Sequence, residues 1–223
     1  MDYAFILIIV FALALGLLAQ FMINWQYSKY MKVPTSTGLT GAQSAYRMLE
    51  ASGLVHIQIQ MIGGKLTDNF NPKTGVISLS TDVYNGFSVA ATAIACHETG
   101  HAIQHATAYA PVKIRTALFP VVNIASNLWY LTLIIGIYLE MIQLYWLAII
   151  MYALVLVFQL VTLPVELNAS ARATAFITGV GYLPEDERRG ANRVLNAAAM
   201  TYVAAALASF AQLIRLIGSA RRR

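Results

Sequence analysis

Four stretches of this chain stay apolar for about twenty residues each, long enough to cross a ~30 Å hydrocarbon layer as helices, and the polar positions fall between them. The first runs from Tyr3 to Ile23, broken only by Gln20. No basic segment or small-residue cleavage site precedes it, so it reads as an anchor rather than a cleaved leader. The second spans about Leu118 to Leu139 and the third about Ile142 to Leu163, with Glu140 and Gln143 marking a tight turn between them. The fourth, Ala197 to Ile217, is rich in alanine but also holds Thr201, Ser209, Gln212 and Arg215. It suits either a span or a buried helix.

The polar block after the first span has its own periodicities. Pro34 to Gly38 reads as a linker. Thr40 to Glu50 reads as a short amphipathic helix, with Thr40 as its cap and Gly53 at its end. Val55 to Gln60 alternates with period two, as a strand does. Asp68 to Gly75 carries turn chemistry, and Val76 to Ser80 reads as a second strand. Val76 to Ser80 is the candidate for an open edge that could hold an extended peptide through main-chain hydrogen bonds. Ser88 to Cys96 is small, apolar and free of Pro and Gly, which predicts a tightly packed helix.

Composition sharpens the membrane reading. The chain has 223 residues, 58% hydrophobic and 11% charged, where soluble domains carry about 25% charged residues. Lysine and arginine set the orientation. Residues 24–117 hold seven and residues 164–196 hold four, whereas the 138–144 hairpin holds none. The positive-inside rule therefore puts both polar blocks in the cytoplasm and the hairpin outside. The basic tail Arg221-Arg222-Arg223 argues mildly against a fourth crossing. The net charge of +5 suits this topology and anionic lipid headgroups; no basic stretch interleaved with aromatics points to nucleic acid. Cys96 is the only cysteine, so no intrachain disulfide forms, and a small buried residue is its expected role.

The chemistry lies in His97-Glu98-Thr99-Gly100-His101. Residues four apart share a helix face, so two imidazoles can address one metal ion, with Glu98 beside them as a general base. The bland alternative is a buried helix with two satisfied histidines. Against it, three of the four histidines (His97, His101 and His105) lie within nine residues, leaving only His56 elsewhere. His105 lies about 12 Å along the helix from His97, too far to share its ion. A third ligand has to come from a distant acid. Asp2 and Glu140 fall on the wrong side of the expected topology, Glu50 sits on the amphipathic helix, and Glu185-Asp186-Glu187 resembles a solvated helix start paired with Arg188 and Arg189. Glu166 follows Pro164, which suits a first helical turn or a kink, and precedes the small residues Ala169, Ser170 and Ala171. A lone carboxylate in such packing needs a cation, either zinc or Arg172. Glu166 is thus the expected third ligand.

Taken together, the HExxH run, Pro164 to Ala173, Val194 to Val203 and Leu66 to Ser80 resemble the bacterial neutral zinc metallopeptidases of the YugP type, over nearly the whole chain. The resemblance implies a membrane-bound, gluzincin-like peptidase with one Zn2+ per chain, metal ligands His97, His101 and Glu166, and Glu98 as catalytic base. Many gluzincins carry an aspartate four residues after the third ligand. Ser170 stands there, so the acid orienting a ligand histidine is expected elsewhere, with Asp82 as the candidate. The family's loop usually reads Asp-His-Tyr-Asp-Pro, where this chain has Asp68-Asn69-Phe70-Asn71-Pro72.

The expected fold is mainly α with a small β-sheet: a multi-pass membrane protein with a zincin-like catalytic part. Residues 1–25 form an N-terminal transmembrane helix and 26–117 a cytoplasmic region with the sheet and metal helix. Residues 118–163 form a transmembrane hairpin, 164–196 a helix supplying the third ligand plus a loop, and 197–223 the alanine-rich helix and basic tail. The expected function is hydrolysis of peptide bonds by zinc-activated water. Expected partners are a peptide or membrane-protein substrate and the bilayer, with room for a regulatory membrane partner or a homo-oligomer. Oxyanion donors could be His56, His105, Tyr109 or Tyr182. The rival reading is a non-enzymatic membrane scaffold, or a partner-binding protein with a vestigial zinc site. A site-2-type intramembrane protease would want an Asp-Gly ligand setting, and no Asp-Gly pair occurs.

Overall fold

The computed structural model describes residues 3–179 and 182–221, so Asp2 and the tail residues Arg222 and Arg223 lie outside it. The chain is mainly helical: α1 (Tyr3–Tyr30), α2 (Gly41–Ala51), α3 (Thr81–Asn85), α4 (Val89–Ala106), α5 (Ala110–Tyr138), α6 (Ile142–Thr178) and α7 (Glu185–Ala220). Three short strands, β1 (Gln58–Ile62), β2 (Asn69–Asn71) and β3 (Val76–Ser80), form one sheet. Two compact units divide the chain: residues 1–20, 110–164 and 200–223 make one, and residues 21–109 and 165–199 make the other.

The first unit is the apolar one. The helices α1, α5, α6 and α7 are each long and apolar enough to cross a membrane. Leu133 of α5, Tyr145, Ala148 and Ile149 of α6, and Leu216 and Ala220 of α7 form its buried cluster. The α5–α6 turn closes at Glu140, which takes a left-handed φ of 55°, while Met141 donates its N–H to Gly136 O. Many large apolar side chains stay exposed, among them Leu7, Phe11 and Leu17 of α1, as lipid-facing positions do.

The second unit carries the sheet and α4. Thr40 caps α2 as its sequence predicts: its hydroxyl accepts from Gln43 N at 3.1 Å, and the Gln43 side chain accepts from Thr40 N at 2.9 Å. This reciprocal box satisfies two otherwise orphaned donors. α4 is buried on nearly every side, so it is the core of this unit. One side packs with Leu49, Ile77, Leu79 and Val83 through Ala91, Ala95 and Ala102. The other packs with Ala173, Ile177, Leu183 and Val194 through Ala93 and Cys96.

The sheet corrects two expectations. The first strand begins at Gln58 rather than Val55, leaving His56 exposed outside it. The strand order is β1-β3-β2, so β3 is central and offers no open edge. β1 pairs with it in parallel and β2 antiparallel, with Phe70 opposite Ile77. The cause is Asn69-Phe70-Asn71, which pairs where a loop is expected. Gly75, at φ 68°, turns the chain between the two strands. At the far end the Asp68 carboxylate accepts from Ser80 N at 2.7 Å and Ser80 Oγ at 3.0 Å. Three residues, Asn-Phe-Asn, are too few for their alternation to announce a strand.

α6 decides between the two readings of Pro164: it opens no first helical turn but lies inside one continuous helix from Ile142 to Thr178. Glu166 and the residues after it therefore extend the third apolar helix instead of forming an element of their own.

Candidate metal centre

His97 and His101 lie one turn apart on α4 and address Glu166 of α6. Each Nε2 lies 3.4 Å from Glu166 Oε2. The two imidazoles meet edge to face, with ring centroids 4.7 Å apart. Glu166 is 4% exposed, so its carboxylate is almost wholly desolvated. The approach of the two helices depends on Gly100. A Cβ there would stand 2.6 Å from Ala169 O, so only glycine lets α4 lie this close to α6.

These residues are positioned to hold a metal ion, and the donor set fits zinc. Tetrahedral ligands about 2.0–2.1 Å from zinc lie about 3.3 Å from one another, and the two His–Glu separations are 3.4 Å. Both Nδ1 atoms are occupied on the side away from Glu166. The His97 Nδ1 lies 3.1 Å from Ser170 Oγ, and the His101 Nδ1 lies 3.0 Å from Gln104 Oε1. Each Nε2 is thus the nitrogen left to face the ion.

The model of the family described as "Putative neutral zinc metallopeptidase" matches residues 5–221. The "Putative membrane protease YugP" of Bacillus subtilis (strain 168) is 43% identical over 213 residues, covering 96% of this chain and 95% of that protein. The chain belongs to the neutral zinc metallopeptidase family. No solved structure gives a significant match.

For this zinc peptidase family member, the electrostatics around the HExxH run are those of a dry site. Glu98 is buried, and desolvation pushes its carboxyl above the ordinary range, although His97 and His101 pull it down. Burial also pushes the Cys96 thiol up, which keeps it neutral within the apolar packing of α4.

The other sequence candidates fall elsewhere. Asp82, the expected orienting acid, is exposed at the start of α3; Ser170 itself occupies the place beside His97. Arg172, the rival partner for Glu166, donates from Nε to Asn168 Oδ1 at 2.9 Å. His105 is exposed at the end of α4, its ring centroid 6.0 Å from that of Phe70. Glu185 and Asp186 pair with Arg188 and Arg189, whereas Glu187 accepts from Ser36 N at 3.0 Å. Sequence reasoning missed Gln104 and Asn168. The available signal was spacing: Gln104 lies three residues after His101, on the same helix face.

Proposed function

We propose that this chain is a membrane-bound zinc metalloendopeptidase in which His97, His101 and Glu166 hold one zinc ion and Glu98 is the general base. The observation that carries this reading is the 3.4 Å spacing of both imidazole Nε2 atoms from one buried carboxylate oxygen, next to a buried acid on the same helix. Bound there, zinc would polarise the scissile carbonyl and make an attacking water more acidic. Glu98 takes the proton from that water as its oxygen bonds to the carbonyl carbon. When the C–N bond breaks, Glu98 delivers the proton to the leaving amine.

Substrate main chain has a place to lie. With β3 central, the open edges belong to β1 and β2, and β2 is the one that packs against α4. An extended peptide added to β2 would run beside the metal helix. The substrates that suit a site between apolar helices are membrane proteins and membrane-associated peptides. The lysine and arginine bias supports a site on the cytoplasmic face with the α5–α6 hairpin outside, and the length and apolar composition of α7 support a fourth crossing against the pull of its basic end.

The test is zinc content and peptide hydrolysis of the purified chain beside Glu166→Ala and Glu98→Gln. The expected result is about one zinc per wild-type chain, a sharp loss in Glu166→Ala, and full zinc with turnover reduced by at least ~10²-fold in Glu98→Gln. Zinc undiminished in Glu166→Ala would move the third ligand elsewhere. Zinc-loaded wild-type protein that cleaves no unfolded or membrane protein would favour the scaffold reading.

A further inference from the structure

Behind His101 runs a line of hydrogen bonds whose polarity is set at its far end. A guanidinium carries only donors, so the Asn168 atom that faces Arg172 Nε at 2.9 Å is its carbonyl oxygen, Oδ1. That same oxygen lies 3.0 Å from the Gln104 side chain, so the Gln104 atom there is the donor Nε2. Val165 O, which can only accept, lies 2.7 Å from the same nitrogen and demands the same orientation. The Gln104 amide therefore turns its oxygen to His101, 3.0 Å from Nδ1. An amide oxygen accepts, and at 3.0 Å from Nδ1 it stands closer to the ring than the Glu166 carboxylate does at 3.4 Å from Nε2; in the neutral ring the shorter contact therefore favours the proton on Nδ1 and leaves the lone pair on Nε2, toward Glu166.

Gln104 is fully buried, so reversing its amide would set its oxygen against two other acceptors, Val165 O and Asn168 Oδ1, and leave that oxygen without a donor. Such desolvated, unsatisfied groups cost far more than a solvated mismatch. His97 lacks this constraint: its neighbour, the Ser170 hydroxyl, can donate or accept.

Resting on the metal site proposed above, we infer that Arg172, Asn168 and Gln104 form a positioning relay that presets the tautomer of His101 before any ion arrives. Gln104 also ties α4 to the backbone of Val165, the residue before the third ligand. The relay thus fixes both the nitrogen that His101 offers and its place relative to Glu166. It does so with a neutral amide in place of the carboxylate often found behind zinc histidines, which leaves the zinc ligands with a single net negative charge.

Three variants test this in the full-length, detergent-purified chain: Gln104→Met, Asn168→Leu and Asn168→Asp. Asp at 168 keeps an acceptor for both Arg172 and Gln104, while Leu removes it. Zinc affinity is read by competition with a chelator, and the His101 tautomer by ring 15N shifts of the metal-free protein at a pH where the ring is neutral. Gln104→Met should bind zinc about 10–100-fold more weakly. Asn168→Leu should lose about tenfold and show a mixed tautomer, while Asn168→Asp should keep the wild-type tautomer and bind at least as tightly. Wild-type affinity and a wild-type tautomer in Asn168→Leu would overturn the relay. Because Asn168 is only partly buried, that pair decides the question even if Gln104→Met fails to fold. The metal-free tautomer also separates two failures: a wild type that binds no zinc sinks the metal site, whereas unchanged tautomers in a zinc-binding protein sink the relay alone.

Discussion

Gly100→Ala sets two effects of opposite sign against each other. In a helix interior, Ala is favoured over Gly by about 0.8–1.0 kcal/mol. At this position, however, the new Cβ stands 2.6 Å from Ala169 O and 3.1 Å from Ala169 C and Cα. These are backbone atoms, so no rotamer change relieves them. Restoring a contact of about 3.5 Å requires α4 and α6 to part by up to about 0.9 Å, and overpacking of this kind costs about 1–3 kcal/mol. The clash should win, for a net loss of up to about 2 kcal/mol. Zinc affinity should respond more clearly. Gly100 lies between the two histidines, and Ala169 lies three residues after Glu166. Parting the helices would stretch the 3.4 Å His–Glu separations toward about 4 Å, beyond the ~3.3 Å that tetrahedral zinc ligands span. A loss of about tenfold or more in affinity is expected, the scale seen when supports of zinc ligands are disturbed. Thermal unfolding of the metal-free protein and chelator competition measure the two effects separately. A variant with raised stability and unchanged zinc affinity would refute the claim that this contact sets the helix spacing.

Ser170→Ala should weaken zinc by about tenfold while leaving the His101 tautomer untouched, which titration calorimetry and ring 15N shifts can check; an unchanged affinity would mean that the His97–Ser170 contact does not hold the ring. In the metal-free protein, burial lowers the pKa of His101, but the Glu166 hydrogen bond and the charges of Glu98 and Glu166 outweigh it and raise the value above 6.5. The folded chain therefore holds that proton more tightly than the unfolded chain. This contribution to stability is complete below about 6.5 and fades as pH rises through the raised value. Zinc competes for the same nitrogen, so apparent zinc affinity should fall as pH drops through that range. Unfolding scans from about pH 5.5 to 8.5, with and without zinc, should show the opposed trends; parallel trends would contradict the coupling. For topology, Tyr138→Cys in a Cys96→Ala background should react with an impermeant maleimide in intact cells, and Lys65→Cys should not; the reverse result would invert the orientation.

Much of this protein was legible along one dimension because its governing rules are local. A stretch of about twenty apolar residues is long enough to cross a bilayer wherever it occurs. The spacing of His97 and His101 puts both on one helix face before any packing is known. Thr40 and Gln43 cap α2 from within four residues. The charge bias between polar blocks favours an orientation by counting alone. Glu166 was reachable by chemistry, since few acids exist and this one sits among apolar and small residues. Its actual meeting with His97 and His101, however, depends on Gly100 letting two helices touch.

What tertiary structure alone decided are the features whose local signal is weak or misleading. Asn69 to Asn71 is too short to announce a strand, yet its pairing puts β3 in the middle of the sheet and leaves the open edges to β1 and β2. Pro164 suits a first helical turn or a position inside a helix equally well, and only the structure shows that α6 passes through it. Ser170, Asn168 and Gln104 look like ordinary helix polars, because hydroxyls and amides can donate or accept almost anywhere. Only packing brings Ser170 to His97 and gives Asn168 and Gln104 the set of partners that fixes their orientation, and that converts three unremarkable side chains into a defined environment around two histidines.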